Sequence, residues 1–121
     1  MNACPFCATE GAVLGNDLAY ARLDKYPVTP GHLLILPRRH VATWFDANAD
    51  ERQALLALLE QGRRLLDEQH APDGYNIGIN VGEAAGQTVM HLHVHLIPRY
   101  RGDVANPRGG VRGVIPSRQN Y

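Results

Sequence analysis

Within the stretch from Gln87 to Pro98, which opens on Thr88 and Val89 and closes on Ile97, apolar residues and histidines alternate without a break through Met90, His91, Leu92, His93, Val94, His95 and Leu96. A period of two is that of an extended strand, whose successive side chains point to opposite faces. The pattern predicts a strand over 87–98 with His91, His93 and His95 on one face and Met90, Leu92, Val94 and Leu96 on the other. A helix would scatter the three imidazoles around its axis. Residues 75–82 alternate in the same way, with Tyr75, Ile77, Ile79 and Val81 against Asn76, Gly78, Asn80 and Gly82. Glycines inside a strand often mark a place where a ligand approaches the backbone. Residues 18–24 read as a further strand. His32-Leu33-Leu34-Ile35-Leu36 reads as a buried one that Pro37 ends. Pro27, Pro30 and Gly31 supply the turn between them, so that a hairpin brings Asp24 near His32. Only one segment carries a helical period: over 49–70, Leu55, Leu58, Leu59, Leu65 and Leu66 follow three-four spacing. Asn48 with Glu51 forms its N-terminal cap, and Ala71-Pro72-Asp73-Gly74 stops it. The expected architecture is α+β: a small antiparallel sheet with one main helix on one face, and the polar strand faces as the floor of a ligand site.

Bulk properties narrow the setting. A chain of 121 residues suits one domain with a core of its own. Lys and Arg together equal Asp and Glu at 12 each, so no global field favours nucleic acid or an anionic membrane, and any anion site must be local. Apolar runs are too short to span a bilayer, and Met1-Asn2-Ala3-Cys4-Pro5 shows no targeting pattern, which makes the cytoplasm the expected location. The domain is placed at 1–103 and an Arg/Gly-rich tail at 104–121. Around their junction and along the tail, Arg99, Arg101, Arg108 and Arg112 stand either as phosphate contacts or as parts of a solvated loop.

Two constellations carry chemistry. Imidazole titrates near neutrality, so three on one face can serve as nucleophile, acid, base or metal ligand. One reading is a nucleophilic histidine with helpers for phosphoryl chemistry. The other is a zinc metallohydrolase with His91, His93 and His95 as ligands, although only Glu83 and Asp103 flank the strand as carboxylate bases. Cys4 and Cys7, the only cysteines, have the spacing of two thiolates on one tetrahedral zinc, and a redox pair is the alternative.

The run from Gln87 to Ile97 resembles the signature of the histidine triad (HIT) family, in which three histidines alternate with apolar residues. Pro30-Gly31-His32 ahead of an apolar strand looks like that family too, as does the intervening helix, and the similarity covers most of residues 4–103. What the resemblance implies is a nucleotide hydrolase or transferase acting at an α-phosphate, without a catalytic metal. His93 would be the nucleophile and form a nucleotidyl-imidazole, while His95 would donate to a phosphate oxygen or the leaving group and His32 would support the site. Gly86, Gln87, Thr88 and Val89 would aim donors at the phosphoryl oxygens, with Gln87 bridging to the departing phosphates. Asp24 would accept from the ribose hydroxyls, Asn80 would reach the sugar-phosphate, and Leu18, Tyr20 and Leu23 would border the base. Cys4, Cys7, His40 and His91 would hold a structural zinc. Family members commonly form homodimers. Pro98-Arg99 followed by Gly102-Asp103 looks like the dinucleoside polyphosphate branch, so a diadenosine tetraphosphate-type hydrolase is the expected activity. A nucleoside phosphoramidate substrate, or a catalytically silent nucleotide-binding protein, is the alternative.

Overall fold

The computed structural model describes residues 4–121. Strands β1 (Ala12–Gly15), β2 (Ala19–Leu23), β3 (Leu33–Pro37), β4 (Gly74–Ile79) and β5 (Val94–Arg99) form one antiparallel sheet in the order β1-β2-β3-β5-β4. Helix α1 (Ala49–His70) links β3 to β4 and packs across one face, as the sequence predicts. Leu55, Leu58 and Leu66 of the helix bury against Ala19, Ala21, Leu33, Ile35, Leu92, Val94 and Leu96. At Gly62 the helix comes so near the sheet that an added Cβ would lie 2.7 Å from Leu33 Cδ2.

The helix starts as its capping residues predict. Asn48 Oδ1 accepts from the Glu51 N–H at 2.8 Å, and Glu51 Oε1 accepts from the Asn48 N–H at 3.0 Å. The Glu51 carboxylate is buried and takes a two-pronged hydrogen bond from Arg39, at 2.7 and 3.0 Å. That guanidinium holds the Glu51 carboxyl below its ordinary pKa. At the other end Ala71 turns left-handed, with φ 46°, and Pro72 cannot continue the helix.

Three elements differ from the expectation. Strand β1 has no period of its own. It forms because Asn16 Oδ1 accepts from the N–H groups of Leu18 and Ala19, at 3.1 and 2.8 Å, and folds the chain into a hairpin. Strand β4 ends at Ile79 rather than at residue 82, and as an edge strand it leaves Ile77 half exposed. The histidine segment is a strand only from Val94; residues 87–93, predicted as part of it, lie outside the sheet and the chain bends at Val89–His91. Before that point the Leu92 N–H donates to Val41 O at 2.7 Å, outside the ladder, and the Pro37 carbonyl is taken by the His91 ring. Leu92, Val94 and Leu96 do share the core face, whereas Met90 stays 45% exposed.

The sheet face opposite the helix holds the polar residues. Its register places Arg22, Leu34, His95 and Gly78 side by side across four strands. Tyr20, Leu34 and Leu36 form a second small core on this face, capped by Phe6 of the N-terminal segment. The Tyr20 hydroxyl donates to the carbonyls of Phe6 and Ala8, which ties that segment down.

Candidate active site

The histidines divide into two groups. His91 is fully buried and turned away from the other two: its Nε2–H donates to Pro37 O at 2.8 Å, which leaves Nδ1 as a bare lone pair. That nitrogen lies 3.4 Å from Cys4 Sγ, 3.5 Å from Cys7 Sγ and 3.2 Å from His40 Nδ1, and Cys7 Sγ lies 3.3 Å from His40 Nδ1. One ligand atom from each of Cys4, Cys7, His40 and His91 falls within 4.8 Å of the others. Ideal zinc bonds of about 2.3 Å to sulfur and about 2.0–2.1 Å to nitrogen give tetrahedral edges of roughly 3.3–3.8 Å. The observed separations are close to those edges, so the four residues fit a tetrahedral metal, and the Pro37 carbonyl supplies the outer hydrogen bond that such a histidine ligand needs.

His93 and His95 remain together on the open face, with ring centroids 5.0 Å apart. The three rings therefore do not converge on one point, and a zinc held jointly by His91, His93 and His95 does not fit the geometry. His93 Nδ1–H donates to the His91 carbonyl at 2.8 Å, so the neutral ring keeps its lone pair on Nε2. His95 is fixed the other way round. The Val28 N–H donates to His32 Nδ1 at 3.0 Å, so the proton of neutral His32 sits on Nε2 and donates to His95 Nδ1 at 3.0 Å. His95 must then carry its own proton on Nε2. The site thus holds a bare nitrogen and an N–H donor on adjacent rings, each tautomer set by one hydrogen bond.

A cleft of about 450 Å³ opens over this pair, lined among others by Phe6, Arg22, Asp24, Asn80, Thr88 and Val89. Asp24 follows β2, and its backbone N–H donates to His32 O at 3.0 Å, as the predicted hairpin requires. Its carboxylate accepts from the Tyr26 N–H at 3.0 Å and stands 3.6 Å from His32 Nε2. Asp24, His32 and His95 also offer three ligand atoms within 4.8 Å. With both His32 nitrogens already bonded, however, His32 and His95 form a hydrogen-bonded pair beside the Asp24 carboxylate rather than a metal site. Among the described residues, the backbone amides of Thr88 and Val89 find no acceptor in the protein, which leaves donors for an anion at the cleft wall.

Several candidates lie elsewhere than expected. Gln87 is 2% exposed: its Oε1 accepts from the Gly82 N–H at 2.8 Å, and its Nε2 donates to Ala42 O and Val89 O at 2.6 and 3.1 Å. It braces the loop from behind and cannot bridge phosphates. Gly86 does line the cleft, although its amide is used, donating to Glu83 O at 2.9 Å. His32 is buried beneath His95 and acts through it rather than facing the cleft. Tyr20 belongs to the core, and neither Leu18 nor Leu23 lines the cleft. Its apolar wall is Phe6 instead, whose ring meets His93 edge to face at 5.0 Å and carries the Arg22 guanidinium 5.7 Å from its centroid. Phe6 sits between the two cysteines, so the signal lay in the motif itself. The tail arginines are engaged away from the cleft: Arg99 is clamped by Asp103 and Asn76, Arg101 faces Asp73, and Arg108 and Arg112 flank the Tyr121 ring.

Burial drives the His95 pKa down to about 4, helped by the neighbouring His93 and His32, and burial lowers that of His32 against the opposing pull of Asp24. A histidine whose folded pKa lies below its unfolded value of 6.5 binds protons more readily when unfolded, so the protein loses stability as pH falls from 6.5 toward 4. The melting temperature is expected to drop through that window. The His95 ring resonances are expected to titrate near 4, and a midpoint close to 6.5 would contradict this arrangement.

The HIT domain model matches residues 8–102, and the chain belongs to the HIT domain family. Among its relatives are the AP-4-A phosphorylase of Mycobacterium tuberculosis, 40% identical over 96 residues, and the bis(5'-adenosyl)-triphosphatase of Saccharomyces cerevisiae, 37% identical over 97. These matches take in 78% and 79% of the chain but only 49% and 47% of the relatives, so the chain spans about half their length. A crystal structure of a Zn-bound histidine triad family protein from Mycobacterium smegmatis superposes with a TM-score of 0.76 at 33% identity, covering 86% of this chain and 80% of that one.

Proposed function

We propose that the protein cleaves a nucleotide at its α-phosphate through a covalent intermediate on His93, with a dinucleoside polyphosphate as substrate. The observation that carries this reading is the pair of opposed tautomers, a bare Nε2 on His93 beside an Nε2–H on His95. His93 Nε2 attacks the α-phosphorus, and the bond from phosphorus to the leaving phosphate oxygen breaks. The His93 ring then bears a positive charge that the His91 carbonyl stabilises through Nδ1–H. His95 hydrogen-bonds the departing oxygen, and the Thr88 and Val89 amides face the charge on the transferring group. Water next attacks phosphorus, the N–P bond breaks with its electron pair returning to Nε2, and the water proton passes to solvent. Asp24 would accept from the ribose hydroxyls and Asn80 would reach the sugar-phosphate.

A polyphosphate leaving group departs as an anion and needs only that hydrogen bond. The amine of a phosphoramidate needs a whole proton, which a neutral His95 gives up poorly; this favours the polyphosphate. Relatives named for adenosine polyphosphate chemistry support the same choice. Cys4, Cys7, His40 and His91 would hold zinc as a structural cross-link that ties the N-terminal segment to the His91 backbone. The free edge of β4, beside an apolar groove of Leu59, Tyr75, Ile77 and Leu96, would pair with a second copy in a homodimer. Incubating purified protein with diadenosine tetraphosphate, with adenosine 5'-phosphoramidate and with no substrate tests the activity. Faster release of mononucleotide from the dinucleotide is expected; release from neither substrate would leave a silent nucleotide binder.

A further inference from the structure

The lining of the cleft over His93 falls into two parts. His93, His95, Thr88 and Val89 carry the phosphoryl chemistry proposed above. The other part comes from the N-terminal segment, β2 and the turn that follows it, with Phe6, Arg22, Asp24 and Lys25 around the apolar Leu34. Sheet register fixes how far apart the two parts lie: Arg22 pairs with Leu34 and Leu34 with His95, so Arg22 stands two strands from His95. At about 4.8 Å per strand that is roughly 10 Å of backbone, a span that a ribose and a base together cover. A nucleotide with its phosphorus at His93 therefore lays its base against Phe6 and Arg22.

This second part is rich in donors and poor in free acceptors. Neither Arg22 nor Lys25 has a carboxylate partner among the described residues. Asp24, the one carboxylate of the cleft, is turned to the Tyr26 N–H and to His32, and is the group assigned to the ribose. The Arg22 guanidinium lies over the Phe6 ring, within cation–π range at 5.7 Å from its centroid, and Nη1–H reaches Pro5 O through a long hydrogen bond of 3.4 Å. These contacts hold the planar group at the cleft wall and leave N–H donors of its five to spare. Such a fork takes two adjacent acceptors at once. Guanine presents that edge through O6 and N7, whereas adenine sets its N6 amino donor beside N7 and meets the guanidinium donor to donor.

We infer that Arg22, with Lys25 of the same wall, selects guanine over adenine as the base of the bound nucleotide. The inference rests on the nucleotide reading above and adds the identity of the base: adenine nucleotides still enter the cleft, but guanine nucleotides hold it more tightly.

The test is calorimetric titration of GMP and AMP into wild type, Arg22→Met and Arg22→Gln, read as the ratio of the two dissociation constants. Wild type is expected to bind GMP at least about fivefold more tightly than AMP. Methionine keeps an unbranched stem against Phe6 but has no N–H, and is expected to bring the ratio near one. Glutamine, whose amide can pair with N6 and N7 of adenine, is expected to bring it to one or below. Equal binding of the two nucleotides by wild type would overturn the inference and leave the nucleotide site standing. A ratio kept in both variants, even with weaker binding of both nucleotides, would overturn it too, because Arg22 would then act on phosphate or on packing. Failure of wild type to bind either nucleotide would overturn the site and the base selection together. Turnover of diguanosine and diadenosine tetraphosphate is read separately: its absence with the binding preference intact would overturn the cleavage and support the base selection.

Discussion

His93→Ala is expected to abolish turnover, by more than about 10³-fold in kcat, while nucleotide still binds. The effect is large because alanine removes the atom that bonds to phosphorus; no neighbour can replace it. His91 Nδ1 faces the cysteines, His95 Nδ1 is taken by His32, and His95 Nε2 carries a proton. Binding should survive because Asp24, Asn80 and the Thr88 and Val89 amides all remain in the cleft. Calorimetric titration with AMP checks the second half: a dissociation constant within a few-fold of wild type is expected. If the variant kept more than a tenth of the wild-type rate, the nucleophile would have to be another group.

Zinc removal is expected to produce the next largest effect. The protein should contain one zinc per chain, and Cys4→Ser should lose it. Loss of a metal held far above its dissociation constant costs about 3–5 kcal/mol, or on the order of 10–20 °C in melting temperature for a domain of this size. Nucleotide affinity should fall too, because Phe6 stands between Cys4 and Cys7 and forms the cleft wall beside His93. Metal analysis with thermal melts of native, chelated and Cys4→Ser protein gives the comparison. Unchanged melting after complete metal removal would show that the four side chains are held by packing alone.

Much of this arrangement could be read from residue order, and the places where it could not share a cause. Helix α1 was legible because its leucine spacing, capping residues and Pro72 all point the same way, and the Asp24–His32 hairpin was legible from Pro27, Pro30 and Gly31. Alternation around the triad correctly placed His93 and His95 on one face. It misplaced His91, because period two says nothing about which segment stays within the ladder. That was decided by the Pro37 carbonyl, which binds the His91 ring, and by Val41, which takes the Leu92 amide. Gln87 reads as a phosphate ligand by its place beside Thr88, yet three hydrogen bonds, with Gly82 and Val89 of its own loop and with the distant Ala42, draw it inward. Phe6 has no period of its own and reaches the site by tertiary packing, so that its place between Cys4 and Cys7 is the one signal the sequence holds for it.

The central claim is that His93 Nε2 becomes covalently attached to the α-phosphorus. It is tested most directly by quenching the reaction with radiolabelled diadenosine tetraphosphate in alkali, where a phosphorus–imidazole bond persists, and locating the label by peptide mass spectrometry. The label is expected on the peptide containing His93, in wild type and not in His93→Ala. Label on another residue, or product release at full rate with no labelled protein at any time point, would contradict it.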